Sequence, residues 1–120
     1  MASTAPDRTS LIAGGAPVHR NITLLSGQDL AAGAVLGRVT ASDKYILSDD
    51  GAADGSEIPR AILPEAVDAS AGDKVCPAYF EADVAGEKLV LGGTWTIATL
   101  EAAFRINQIP IVVRTTGVHG

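Results

Sequence analysis

The stretch Gly33–Phe80 constrains the fold most: three short apolar runs recur in it between clusters of turn-forming residues, with almost no room for a helix. Val35, Leu36 and Val39 make the first run, Tyr45–Leu47 the second, and Ala61–Leu63 with Val67 the third. Ser42, Asp43 and Lys44 leave a gap between the first two that suits a hairpin turn. Asp49-Asp50-Gly51 and Asp54-Gly55 then break the chain with residues that tolerate positive φ. The pattern predicts a small, barrel-like fold built mainly from β-strands.

The flanks add an extended segment before this stretch and one helix after it. Val18–Leu25 is rich in β-branched and aliphatic residues, with Val18, Arg20, Ile22 and Leu24 on one face. Val75–Val84 is followed by a turn at Ala85–Lys88 and a short apolar run at Leu89–Leu91. Ile97, Leu100 and Phe104 then fall at helical spacing among Ala98, Ala102 and Ala103, and either Thr94 or Thr96 is placed to cap the N-terminus. These three apolar residues are expected to press the helix against the sheet. Asn107 is a natural C-terminal stop, and Pro110 cannot continue the turn. Ile109–Val113 has strand composition, with Pro110 favouring an edge position or the first residues of the strand.

Met1–Ser10 is small and polar, contains a proline and has no periodicity, which predicts an arm unable to order itself. Leu11 and Ile12 follow it and precede the flexible pair Gly14-Gly15. Two adjacent aliphatics left in water would waste apolar area, so they either meet a partner or pack back on their own domain. The expected division is an N-terminal arm over residues 1–17 and a single globular domain over 18–120.

Composition removes several classes of function. At 120 residues the chain holds one core, and with 4% aromatics that core must come from Val, Ile, Leu and Ala. Fourteen acidic against nine basic residues give a net charge of −5, with the basic residues scattered, which argues against direct nucleic-acid binding. Cys76 is the single cysteine, so it can form neither an intramolecular disulfide nor a cysteine-based metal site, and is expected to be a small buried hydrophobe. No apolar run is long enough to span a membrane, and Met1–Ser10 lacks the apolar centre of a secretory signal, so a soluble product of the cytoplasm is expected.

No constellation points to catalysis. His19 and His119 have no second histidine or cysteine at ligand spacing. Asp49, Asp50, Asp54 and Glu57 lack the order of a calcium loop and read as a solvated cluster of Asx turns. Gly92-Gly93 precedes a helix without the motif of a phosphate loop, and Ser10, Ser42, Ser56 and Ser70 lack the context of a nucleophile elbow. No enzymatic activity, cofactor or metal is therefore expected. Lys44 at its turn suggests an alternative, a lipoyl- or biotinyl-like carrier or a small-ligand-binding β-barrel. The helix of Ile97–Phe104 is foreign to such carriers, and Lys44 lacks the flanking residues that modifying enzymes read.

The runs LGRVTASDKYILSD (Leu36–Asp49), DGAADGSEIPRAILPEAVDASAGD (Asp50–Asp73) and LVLGGTWTIATLEAAFRINQI (Leu89–Ile109) together resemble the head decoration proteins of lambda-like bacteriophages. No single short motif carries the resemblance. Its specificity lies in the order of a D-G-x-x-D-G loop, an A-I-L strand, a V-D-A-S-A-G-D turn and one helix after a glycine-rich turn. The resemblance implies a non-enzymatic homotrimer over local three-fold positions on the outer surface of an expanded capsid, in the virion, bound to the major capsid protein. It implies no nucleic-acid or membrane partner. It also implies an arm that orders on the capsid, for which Thr9, Ser10, Leu11 and Ile12 suit strand addition, with Gly14 and Gly15 as the hinge.

Overall fold

Alternation of side chains across a strand places every second residue on one face, and here those faces close around a common core. The computed structural model describes residues 11–114. Its strands are β1 (Ile12–Leu24), β2 (Asp29–Leu30), β3 (Val35–Val39), β4 (Lys44–Leu47), β5 (Pro59–Ile62), β6 (Val67–Asp68), β7 (Lys74–Ala85) and β8 (Ile111–Arg114). The helix α1 (Ile97–Ile106) lies between β7 and β8. The fold is mainly β with one helix near the C-terminus, as the sequence pattern predicts.

The main sheet runs β1-β4-β3-β5-β7-β8, and β1 also pairs with β7, so five of the strands close into a small barrel. Most of the closure comes from β1 and β7, antiparallel from Ile12↔Val84 to Leu24↔Lys74. The other seams are thin: β1 meets β4 at Leu24↔Tyr45, and β5 meets β7 at Ile62↔Tyr79. Strands β2 and β6 form a separate pair. The barrel interior holds Ile22, Leu24, Leu36, Tyr45, Ala61, Leu63, Cys76 and Ala78.

A second cluster lies beneath α1. It joins Leu100 and Phe104 to Val35, Ile62, Ala82, Val84, Ile111 and Val113, with Ile97 half-buried beside them. The route from β7 through α1 to β8 explains this layer, because parallel neighbours need a crossover and the crossover helix covers the sheet. Strand β8 is parallel to β7 and begins immediately after Pro110, where a missing N–H does least harm.

The ends of α1 follow from local chemistry. Thr96 is the N-cap: the Thr99 N–H donates to Thr96 Oγ1 at 3.2 Å, and the Thr96 N–H donates to Thr99 Oγ1 at 2.9 Å. At the other end Asn107 is the C-cap. The Ile109 N–H reaches Phe104 O at 2.8 Å and the Gln108 N–H reaches Arg105 O at 3.2 Å, a Schellman closure. Gln108 adopts φ 58 there, a conformation that glycine takes without strain. Gly37 is needed for a different reason, since a Cβ on it would sit 2.2 Å from Ser56 O.

The described residues add detail at the start of β1 and after β7. Strand β1 begins at Ile12, ahead of residue 18, and pairs with β7 at Ile12 and Gly14 before regular pairing resumes at Val18. The register shifts on either side of Gly14 mark an irregular stretch of β1. Leu89–Leu91 forms no strand, and Val90 makes only an isolated parallel bridge to Ala34.

Two substitutions test this layer. Leu100 is fully buried, and Leu100→Asp places an unpaired carboxylate there at a cost of several kcal/mol against a total of about 5 to 15, so soluble, cooperatively melting protein is not expected. Gln108→Gly relieves the left-handed residue and is expected to raise stability by roughly 0.5 to 1 kcal/mol in chemical denaturation.

Candidate functional site

The two groups of residues expected to act at opposite ends of the chain come together. Leu11 is 5% exposed and lies in the cluster of Leu100 and Phe104, with Ile12 and Ile97 half-buried against it. Apolar area at the foot of the arm is thus covered by this chain's own helix and sheet, in keeping with the second option open for Leu11 and Ile12. Ile12 keeps part of its surface accessible. Thr9 and Ser10 lie outside the described residues, as does His119.

The acidic loop between β4 and β5 folds on itself through Asx turns. The Gly51 N–H donates to Asp49 Oδ1 at 2.8 Å, and Asp54 accepts from both the N–H and the hydroxyl of Ser56. Asp50 reaches outward instead, accepting the Thr94 N–H at 2.9 Å and its hydroxyl at 2.6 Å, and so ties the loop to the approach of α1. Beneath it the buried Ser48 hydroxyl donates to Ser56 O at 2.6 Å and accepts the Trp95 indole N–H at 3.2 Å. Loop and helix are therefore one unit, and among the described residues no three His, Cys, Asp or Glu converge as metal ligands.

Lys44 is not a solvated tip. It opens β4, and its Nζ lies 2.6 Å from the Asp73 carboxylate, which also accepts the Ser26 N–H at 2.8 Å. Cys76 is buried, and burial pushes its thiol above its ordinary range, the behaviour of a structural cysteine.

The structure also gathers residues that sequence order kept apart. Three of the nine basic residues, Arg20, Arg38 and Arg60, line one cavity of about 400 Å3 with Tyr45 and Phe80. Arg38 faces Tyr45 across the β3–β4 ladder, two residues along from the pair of buried Leu36 with half-buried Leu47, and Arg20 precedes the inward Ile22 by two residues. The cavity thus opens where the inward faces of the strands change from aliphatic to arginine. Phe80 and Tyr45 meet edge to face at 6.1 Å, and the Arg20 guanidinium lies 5.5 Å from the centre of the Phe80 ring. Arg38 is paired with Asp43 at 2.8 Å, and Glu81 stands on the rim. The signal was the alternation itself, which puts Arg20 in line with Ile22 and Leu24.

With this geometry in place, comparison with known proteins is informative. The family model described as Bacteriophage lambda head decoration protein D matches residues 4–108, which includes the acidic loop, the barrel and α1. No curated protein sequence is a significant match.

The aspartates set an acid limit on stability. Hydrogen bonds from Thr94, Ser56 and Ser70 hold Asp50, Asp54 and Asp68 below the ordinary 3.8, and Lys44 does the same for Asp73. A depressed folded-state pKa contributes stability that is complete above the unfolded value, about 4, and is lost as pH falls through the folded values. Melting temperature is therefore expected to hold above about pH 4 and fall below it. Asp50→Asn should melt lower at pH 7 and lose less on acidification; a wild-type melting temperature that is flat down to pH 2 would contradict the assignment.

Proposed function

We propose that this chain, which belongs to the bacteriophage lambda head decoration protein D family, binds the major capsid protein on the outside of the expanded head as a homotrimer and cements the shell against the pressure of packaged DNA. The family match over residues 4–108 is the observation that carries the reading. Membership supports a structural role in capsid decoration. The cementing step is linkage: a protein that binds only the expanded lattice stabilises that lattice by its binding free energy. Synthesis in the host cytoplasm, followed by addition to the finished shell, suits such a role.

A closed cyclic trimer suits a chain that leaves Val75, Ile106 and Val112 at 73%, 78% and 49% exposure. The arm enters this reading in altered form. Leu11 and Ile12 anchor its base to the protomer, so the contact with the shell falls to the residues before them, Thr9 and Ser10 included. Strand addition supplies backbone hydrogen bonds there, and three linked arms bind together more firmly than any one alone. The carrier alternative has no comparable support, since Lys44 is held by Asp73.

Truncation tests the reading. Deleting residues 1–10 should leave the melting temperature nearly unchanged and sharply reduce binding to expanded heads, scored by electron microscopy with and without added protein. Deleting residues 1–12 removes the buried Leu11 as well and should cost roughly 2 to 5 kcal/mol of stability. If the shorter deletion still decorated heads at wild-type affinity, the contact would lie on the globular domain.

A further inference from the structure

Contacts within the protomer explain part of the arginine-lined cavity, since Arg38 pairs with Asp43 and Arg20 lies over the Phe80 ring, but they leave Arg60 without a partner for its Nε. Placing three guanidinium groups around one cavity costs repulsion, and among the described residues only Arg38 of the three is in an ion pair. The Arg60 Nε is buried without a hydrogen-bond partner, the single such side-chain atom among the described residues. Buried donors are normally satisfied, so this guanidinium has hydrogen-bonding capacity that the protomer leaves unused. Tyr45 and Phe80 form the floor, and an adjoining cavity continues past Arg20 to the exposed Val75. Arginine beside tyrosine and a second aromatic, with an exposed aliphatic next to them, is the composition of a protein-contact hot spot.

The charge of the chain indicates what fits there. At net −5, copies of this protein repel one another unless a basic patch on one meets acidic groups on the next. A closed ring with more than two members needs two different surfaces that complement each other. Three of nine basic residues gather at this cavity with two acidic ones, Asp43 and Glu81, while further acidic side chains lie elsewhere on the surface, among them the exposed Asp29 and Glu65.

We propose that the cavity lined by Arg20, Arg38 and Arg60 is a self-association site that receives an aspartate or glutamate side chain from a second copy of this chain. The inference rests on the oligomeric part of the function given above. Guanidinium groups grip a carboxylate through two parallel hydrogen bonds, and the rings of Tyr45 and Phe80 line the same cavity. Asp43 and Glu81 on the rim oppose a carboxylate that approaches off-axis, which fixes the orientation of the incoming side chain.

Sedimentation equilibrium of the full chain from 1 to 100 micromolar, at low and high salt, tests this, with wild type compared against Arg20→Gln and Arg20→Gln/Arg60→Gln. Arg20 is exposed, so its single variant keeps the test valid if the double variant melts early. Wild type is expected to associate and to weaken with salt; the single variant should associate at least tenfold more weakly, and the double variant should lose most of the salt dependence. Association of Arg20→Gln at wild-type strength, with unchanged salt dependence, overturns the proposal. A wild type that stays monomeric yet decorates expanded heads also overturns it while leaving the decoration reading intact. A wild type that associates through these arginines but never binds heads does the reverse.

Discussion

The pairing of β1 with β7 is the constraint on which the rest depends. It supplies the one long seam of a barrel whose other closures, β1 to β4 and β5 to β7, rest on a single residue pair each. It also delivers Leu11 to the space beneath α1, at the far end of the same ribbon. One strand pair thereby links the two apolar clusters, the barrel interior and the layer under the helix. Neither cluster is rich in aromatics, so each depends on continuity of small contacts more than on any large side chain.

A core of this kind leaves much of the loop geometry to polar groups. Ser48, fully buried, connects the end of β4 to Ser56 and to the indole of Trp95, and Asp50 connects the same loop to Thr94. The sequence DDGAADGSE therefore positions the approach to α1, and its carboxylates serve as acceptors for backbone and hydroxyl donors. That accounts for an acidic cluster that is metal-like in composition and structural in use. Similar logic holds at Asp73, which joins Lys44 to the turn after β1.

Local pattern made the strands and the helix legible. The alternation in Val18–Leu25, the capping threonine, and the Asn107 and Pro110 stops all act within a turn or two of the chain, and each has its physical cause in adjacent residues. What covers Leu11 was not legible in the same way. Its neighbours are Leu100, Phe104, Ile111 and Val113, contributed from the other end of the chain, and an apolar pair at the foot of a polar arm reads alike whether it meets a partner or its own helix. Gly14 and Gly15 read as a hinge by composition, yet in a paired strand the same freedom absorbs register shifts. Arg20, Arg38 and Arg60 looked scattered because they sit on three different strands, and only the closure of the barrel brings them to one cavity.

The anchoring of Leu11 changes how an arm of this chain can act. A tether fixed at residue 17 would swing from the side of the barrel, whereas one fixed at Leu11 leaves from beneath α1, beside β8. Each residue before Leu11 adds at most about 3.5 Å of reach, so the base of the arm limits which surfaces of a partner it can meet. A fixed base would also lower the ordering cost of binding by an arm, since Leu11 is already buried in the protomer. In the reading proposed above, backbone pairing by the residues before Leu11, which is sequence-tolerant, would supply affinity, and the position of the barrel on the shell would supply specificity.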